Sequence, residues 1–217
     1  MEKLMILRLE GALQSGGEAA PWDNRGTASY PTKSGIVGLI ACAMGLPRED
    51  PEILRLSRAI SVGVRADRQG VPTCDFQTVQ GMPRILNAAG KPRGNIVAHR
   101  WYLEDASFLV VIAADSHWLE RIRQALENPV WCIYLGRKTC VPSRPVLEEI
   151  TEKYETISQV LHCYPAGARA DAILGFEAEE PMPEGSSLSR PDVPAGNREF
   201  DRRKVWRGTV RRDALCT

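Results

Sequence analysis

The sequence has few of the residues on which metal sites and acid–base catalysis most often depend. It contains three histidines, and aromatic residues make up only 6% of the chain. Its six cysteines form no CxxC pair and no spacing typical of a zinc site. They are Cys42, Cys74, Cys132, Cys140, Cys163 and Cys216. We therefore predict no metal and no other cofactor, and free, mostly buried thiols in a reducing cytoplasm.

Long apolar runs and an excess of one charge are also missing. The apolar stretch at residues 4–9 is too short for a signal peptide, and no stretch is long enough to span a bilayer. We therefore expect a cytoplasmic protein that does not contact membranes. The net charge of +1 gives no argument for nucleic acid, although residues 198–212 are rich in arginine and residues 177–184 are acidic.

The first half of the chain predicts a strand, two helices and a second strand. Residues 4–9 form an apolar strand, and Ser34 is the expected N-cap of a helix that ends at Gly45. Asp50 followed by a proline is typical of a helix start. Residues 60–68 alternate between apolar and polar, which predicts a half-exposed strand with Arg65 on its polar side.

The second half predicts two more strands around a helix, and then irregular chain. An extended arm or hairpin is expected at residues 69–97, because proline, glycine and asparagine interrupt any apolar period there. A central strand should lie within residues 103–114, and a helix should run to Asn128. The remaining expected elements are strands at 130–135, 154–164 and 205–210 and a loop at 177–196.

The order β, α, β, β, α, β over residues 4–135 predicts an α+β, ferredoxin-like (RRM-like) fold. Because the sequence shows neither an internal repeat nor a clean linker, we expect one elaborated domain over residues 1–217. Its expected additions are the arm at 69–97 and a C-terminal β extension at 141–217.

Three segments resemble the CasD family, a RAMP-type subunit of the type I-E CRISPR Cascade complex. They are ILRLEGALQ at 6–14 with YPTKSGIVGLI at 30–40, YLEDASF at 102–108, and YLGRKTC at 134–140. Relatives often carry an aromatic residue soon after the first of these segments, where this chain has Ser15, Gly16 and Gly17. Trp22 is the candidate replacement.

The resemblance implies a RAMP domain with a β-hairpin thumb that binds RNA and has no catalytic activity. Such a subunit caps the 5′ handle of the crRNA in antiviral defence. It docks the large subunit and the first backbone subunit, and it meets target DNA only through the assembled complex. The predicted RNA-binding residues are Arg25, Tyr30, Thr32, Lys33, Ser34, Gly35, Arg65, Arg84, Arg93, Arg100, Tyr102, Gly136, Arg137 and Lys138.

Two short motifs in this set have a physical reason to bind phosphate. Lys33 opens a predicted helix, and free N–H groups at a helix N-terminus attract anions. Arg137 and Lys138 follow Gly136, where a passing RNA backbone has room to approach. The alternatives are simple helix capping with a solvated lysine and a solvated turn.

The arm and the aromatic residues supply the other candidate contacts. Within the arm, Met82 or Ile85 is a candidate wedge against the RNA, and a flexible surface hairpin is the alternative. Trp22, Tyr30, Trp101 and Tyr102 are candidates for stacking on bases, although most aromatic residues lie in protein cores. The arginines of residues 198–212 suit an RNA-facing strand, a subunit contact or an ion-paired face.

Two other functions stay open at this point. A sister subunit in another CRISPR subtype is a metal-independent repeat endoribonuclease, and Tyr30, Lys33 and His99 are residue types suited to that chemistry. The other alternative is a protein-bridging subunit whose contacts with RNA are incidental.

Overall fold

The structure is a computed structural model that describes residues 3–17, 23–81, 86, 89–91, 94–196 and 199–216. The strands are β1 (Leu4–Glu10), β2 (Leu13–Gln14), β3 (Asn24–Arg25), β4 (Ser61–Arg68), β5 (Val71–Val79), β6 (Ile96–Glu104), β7 (Ser107–Ala113), β8 (Leu147–Thr151), β9 (Ile173–Ala178), β10 (Ser186–Gly196) and β11 (Glu199–Arg211). The helices are α1 (Lys33–Met44), α2 (Pro51–Ala59), α3 (Ser116–Glu127) and α4 (Ile157–Cys163), and a 3-10 turn follows at Arg212–Ala214.

Seven strands form one antiparallel sheet in the order β10-β11-β9-β4-β7-β1-β8. Its middle strands are apolar on both faces because both faces are covered. Leu7 and Val64 pack with α1, α2 and α3 on one face, whereas Ile6 and Phe176 pack with α4 on the other. The protein is therefore of the α+β class, with a core dominated by its sheet.

A smaller sheet surrounds β6. Strand β5 pairs with β6 from Val71↔Glu104 to Val79↔Ile96. The two-residue strands β2 and β3 pair with β6 along its opposite edge, where Arg25 is aligned with Arg100. The predicted arm therefore begins with a regular strand that is hydrogen-bonded to its neighbour.

The helices that the sequence predicts in its first 128 residues are confirmed. Helix α1 ends at Gly45, whose φ of 72° is favourable for glycine. Its N-cap is Thr32 rather than the predicted Ser34, because the Thr32 hydroxyl accepts from the Gly35 N–H at 3.0 Å. Asp50 caps α2 as expected from the following proline.

The strand predicted at residues 130–135 is absent, and β8 occupies the edge position beside β1. The backbone N–H groups of the predicted strand are used elsewhere. Val130 donates to the Ala43 carbonyl at the end of α1 (2.8 Å), and Leu135 donates to the Cys140 carbonyl (2.7 Å). This segment is therefore a loop fastened to the end of α1 rather than a further strand of the sheet.

The strand predicted at residues 154–164 is helix α4, and this difference also corrects the prediction for Arg65. Thr156 caps the helix, and the Glu180 carboxylate accepts from two N–H groups of its first turn (3.2 and 3.0 Å). Since α4 lies over the face of β4 that was predicted to be polar, Arg65 is fully buried. It donates to the Leu161 carbonyl of α4 at 2.8 Å and to Asp67 at 2.6 Å.

The predicted loop at 177–196 is largely wrong, because β10 begins at Ser186. Prolines suggested a loop, but β10 is an edge strand, where a missing N–H is tolerated. Its pairing shifts register beside Pro191 and beside Pro194. The final strand, predicted at 205–210, is present as part of the longer β11.

The cysteines are not all free, mostly buried thiols as predicted. Cys163 and Cys216 form a disulfide that joins α4 to the C-terminal segment. Their 53-residue separation gives no spacing signal, and the pairing depends on the unpredicted helix α4. Of the four free cysteines, only Cys140 is buried.

None of the helices in the described part of the chain is long and apolar enough to cross a membrane.

Candidate nucleic-acid interface

A tight loop positions Arg137 beside the second sheet. Gly136 has a φ of 90°, and a Cβ at this residue would lie 1.7 Å from the Ser15 carbonyl oxygen. The loop is held to the segment after β2 because Ser15 N–H donates to the Leu135 carbonyl at 3.0 Å. Only glycine fits this approach, so Gly136 fixes where the next side chain begins.

The Arg137 guanidinium lies over the ring of Tyr102, 4.5 Å from its centroid. Its Nη2 donates to the Arg25 carbonyl at 3.1 Å. The buried Nη1 atom has no hydrogen-bond partner among the described residues. One edge of the guanidinium is thus held by the protein, while the other keeps an unused donor.

Arg100 lies on the same face of β6 as Tyr102 and has a second unused donor. Its buried Nε has no hydrogen-bond partner in the part of the chain that the structure describes. Asp75 is opposite Arg100 on β5, but its carboxylate accepts from the Gln77 amide at 2.7 Å. Neither Arg100 nor Arg137 forms an ion pair with a carboxylate of the described residues.

We call this group the β6 platform: Arg25, Arg100, Tyr102, Arg137 and Lys138. Residues far apart in the sequence meet here, since β3, β6 and the 134–140 loop each contribute. Lys138 is exposed and Arg137 is half-buried, so the charges are accessible to a ligand. Tyr102 is buried under Arg137, so its ring does not offer the base-stacking surface that the sequence suggested. The platform instead presents guanidinium and ammonium donors, which suit a phosphate backbone.

Gln14, a motif residue, has a structural role beside the platform. Its buried amide donates to the Leu9 carbonyl at 3.0 Å and to the Ala106 carbonyl at 2.8 Å. These bonds join the end of β1 to the start of β7. Ser15 then donates its hydroxyl to the Trp101 carbonyl at 3.2 Å, which secures the loop against β6.

Lys33 belongs to a different group, which we call the paired cluster: Lys33, Glu177, Glu179, Arg190, Asp192 and Arg203. The Lys33 ammonium is buried, donates to the Ile60 carbonyl at 2.8 Å and lies 3.1 Å from Glu179. The Lys33 backbone N–H donates to Asp192 at 2.8 Å. A carboxylate of the protein therefore occupies the start of α1, where the sequence predicts an RNA phosphate.

Charge neutralisation within the paired cluster is extensive. Asp192 accepts from Arg203 at 2.6 and 2.8 Å. Burial tends to raise the pKa of Asp192, but the hydrogen bonds and charge of Arg203 outweigh it and lower that pKa. Glu177 is buried between Arg190 and Arg203, and Arg207 also donates to it at 2.7 Å.

The other predicted residues at the start of α1 take part in capping and packing. Ser34 lies 3.1 Å from the Thr32 hydroxyl that caps the helix, and Gly35 supplies the capped N–H. Tyr30 is buried beneath Arg207, whose guanidinium is 5.2 Å from the ring centroid. Burial is the main reason that the pKa of Tyr30 is raised. The predicted residues Tyr30, Thr32, Ser34 and Gly35 therefore lie outside the platform.

The reverse face of the β5–β6 pair carries an aromatic surface of which the sequence analysis named only Trp101, as a candidate for stacking on bases. Phe76 is 61% exposed and Trp101 is 37% exposed. The ring of His99 lies 5.5 Å from that of Phe76, and Trp101 donates to the Asn24 side chain at 3.1 Å. The apolar residues that alternate along both strands were the available signal, but prolines and glycines nearby obscured it.

The residues suggested for acid–base cleavage are not brought together. His99 is exposed beside Phe76 on β6, whereas Tyr30 and Lys33 are buried at the start of α1. Among the described residues, no hydrogen bond, ion pair or ring contact joins His99 to either of them. The predicted Arg84 and Arg93, the wedge candidates Met82 and Ile85, and the candidate Trp22 lie outside the described residues.

The chain is similar over most of its length to proteins of CRISPR systems. The family model described as "CRISPR-associated protein (Cas_Cas5)" matches residues 4–213. The "CRISPR system Cascade subunit CasD" of Escherichia coli (strain K12) is 30% identical over 179 residues, which are 77% of this chain and 80% of the relative.

Two solved structures are similar in fold as well as in sequence. A chain described as "CRISPR RNA-guided surveillance complex" has a TM-score of 0.76 and 27% identity, covering 96% of this chain and 89% of that chain. A "Crystal structure of Cas protein" has a TM-score of 0.76 and 32% identity, covering 98% and 97%. The match therefore includes both sheets.

Proposed function

Because the chain belongs to the Cas5 family of CRISPR-associated proteins and is of the CasD type, we propose that it is a type I-E Cascade subunit that caps the 5′ handle of crRNA. In this role it binds RNA without cutting it. The similarity to a named Cascade subunit supports the assembly, and the β6 platform supports the contact with RNA.

The observation that carries the RNA-binding role is the pair of unsatisfied arginine donors on the platform. Within the described part of the chain, Arg100 Nε and Arg137 Nη1 are buried from water and have no hydrogen-bond partner. Leaving such a donor unpaired is unfavourable, so each guanidinium gains a charge-assisted hydrogen bond when its side chain turns outward to a phosphate oxygen.

Four strands and two helices of the fold have the arrangement that a ferredoxin-like RAMP core requires. Strands β8, β1, β7 and β4 lie side by side and antiparallel, with α1 after β1 and α3 after β7. We take this unit as the ferredoxin-like RAMP core and the β5–β6 pair as the base of the thumb. The large subunit and the first backbone subunit are the proposed protein partners.

Direct binding of a labelled 5′-handle RNA to the purified chain tests the proposal. Replacing Arg137 by glutamine should weaken binding roughly tenfold or more, since a charge-assisted hydrogen bond is lost. Lys138→Gln should weaken it less and should lower the salt dependence by a slope of roughly 0.7 per lost phosphate contact. The matched control is Arg123→Gln, because Arg123 is an ion-paired arginine on the surface of α3.

Equal affinities for Arg137→Gln, Lys138→Gln and Arg123→Gln, with unchanged melting temperatures, would contradict an RNA contact at the platform. Partner subunits that still assemble stably on a variant in which the platform cations are all neutralised would favour the protein-bridging alternative.

The ribonuclease alternative is tested in the same reactions with a labelled CRISPR repeat RNA in EDTA. We expect binding with no discrete product. A cut at the base of the repeat hairpin that disappears in His99→Ala would identify this chain as the processing enzyme instead.

A further inference from the structure

The segment before the platform loop is fastened to the C-terminal end of α1. Val130 N–H donates to the Ala43 carbonyl at 2.8 Å. The Val130 side chain packs against Gly45, where an added Cβ would lie only 2.7 Å from Val130 Cγ1. A close seam therefore runs between α1 and the chain that leads to Gly136.

Two free thiols lie on opposite sides of this seam. The Cys42 thiol donates to the Cys132 carbonyl at a sulfur–oxygen distance of 3.5 Å. Cys132 is exposed and Cys42 is half-buried. Burial, with a further contribution from the nearby Cys132, raises the pKa of the Cys42 thiol, whereas Lys138 lowers it. Cys140, which lies beyond the turn, is buried.

We propose that Cys42 and Cys132 form a dithiol site that closes to a disulfide when the protein meets a low-molecular-weight disulfide. The covalent lengths of the carbonyl group place the Cys132 Cα within roughly 6 Å of the Cys42 sulfur. Disulfides span Cα–Cα distances of about 4.4–6.8 Å, so closure requires rotation of both side chains and movement of the exposed segment at residues 131–132.

The exposed thiol reacts first. The Cys132 thiolate attacks one sulfur of oxidised glutathione, forms a mixed disulfide and releases one glutathione thiolate. Cys42 then loses its proton to solvent and attacks the Cys132 sulfur, which releases the second glutathione thiolate. The protein gives up two electrons, and the reagent is reduced to two thiols. No other reactant is required.

The bond would join α1 covalently to the loop that carries Arg137. Since this link constrains the unfolded chain, oxidation should raise the melting temperature. This inference does not rest on the proposed RNA role, because the seam and its thiols are independent of any ligand.

The experiment uses the full chain treated with oxidised glutathione, blocked with N-ethylmaleimide and digested with trypsin without reduction. Mass spectrometry should find residues 34–48 linked to residues 124–137. The peptides containing Cys163 and Cys216 provide an internal standard. Cys74→Ser should leave the new link intact, whereas Cys132→Ser and Cys42→Ala should each abolish it together with the gain in melting temperature.

Stable glutathione adducts on Cys132 with no link to Cys42 would overturn the proposal. A link between Cys132 and Cys140 or Cys74 would overturn it as well. If Cys42→Ala fails to fold, the exposed substitution Cys132→Ser still decides between these outcomes.

Discussion

The paired cluster and the β6 platform are both built from cations on strands, but their surroundings differ. In the cluster, Arg203 lies 2.6 Å from Asp192 and 3.1 Å from Glu179. In the platform, Arg137 contacts a carbonyl and an aromatic ring, and one of its nitrogens has no hydrogen-bond partner within the described ranges. The cluster thus satisfies its charges within the protein, whereas the platform leaves donors for a ligand.

This difference teaches how to separate structural arginines from binding arginines. Buried carboxylates turn Arg190 and Arg203 into cross-links among β9, β10 and β11. An aromatic ring holds Arg137 without neutralising it, because a cation–π contact leaves the N–H groups at the guanidinium edge free to donate. The neighbours of an arginine, rather than its presence, decide which role it has.

Removing a buried carboxylate from the paired cluster should have the largest effect, and this effect is on the stability of the fold. Glu177→Gln leaves buried arginines without their counter-charge, and losing one partner of a buried pair costs about 3–5 kcal/mol in the free energy of unfolding. Urea denaturation measures this loss. The control is Glu127→Gln, which removes a carboxylate from an exposed pair with Arg123 and should change little. Equal stability of the two variants would contradict the structural role that we assign to the arginines of the paired cluster.

Acid should weaken the cluster next. Because the pKa of Asp192 is lowered in the folded state, its contribution to stability is complete above the ordinary pKa of about 4 and is lost as the pH falls through the lowered value. Urea midpoints measured from pH 7 to pH 3 should fall for the unmodified chain. The midpoints should fall less steeply with pH for Asp192→Asn. If the midpoints of the two proteins fall in parallel, Asp192 is not the source of the acid sensitivity.

Adding a carboxylate to the platform should neutralise part of its positive charge, as carboxylates do in the paired cluster. Gln77 lies on β5 near Arg100, and its amide now holds the Asp75 carboxylate. Gln77→Glu removes that donor and adds a negative charge, so RNA affinity should fall several-fold and its salt dependence should decrease. Gln124→Glu on α3 is the matched control. Unchanged RNA affinity would show that the platform does not meet phosphate.

The smallest effect on RNA affinity is expected from changing the Tyr102 ring beneath Arg137. Tyr102→Leu removes a cation–π contact with the half-buried Arg137 worth about 0.5–1 kcal/mol, so RNA affinity should drop about two- to fivefold. Because Tyr102 is buried in the core, the melting temperature should fall as well. Tyr102→Phe keeps the ring and should bind like the unmodified chain. If Tyr102→Phe binds as weakly as Tyr102→Leu, the hydroxyl rather than the ring is important.

The sequence predicts local elements well where the signal is local. The caps and the apolar period of α1, α2 and α3 depend on neighbouring residues, and these helices are present. Helix α4 was missed although Thr156 provides a local cap, because the helix is only seven residues long and its first turn is also held by Glu180, which is distant in the sequence. The burial of Arg65 then followed from a helix that the alternating pattern of β4 does not reveal.

The candidate site was predictable only in part, for the same reason. The pattern around Gly136 and Arg137 identified the loop, but it did not indicate that Tyr102 and Arg25 lie beside it. Lys33 resembled a phosphate ligand because Asp192, the residue that takes this place, is 159 positions away. Whether these residues bind RNA stays a prediction for the variants above to test.

The prolines of β10 have a consequence for how the chain behaves before it finds partners. The free edge of an extended sheet is a template on which further copies of the chain can polymerise. At one end of the large sheet, Pro191 and Pro194 disrupt that template, and at the other end β8 is short and carries Glu148 and Glu149. We therefore expect copies made in excess of the rest of an assembly to remain dispersed rather than form fibres through this sheet.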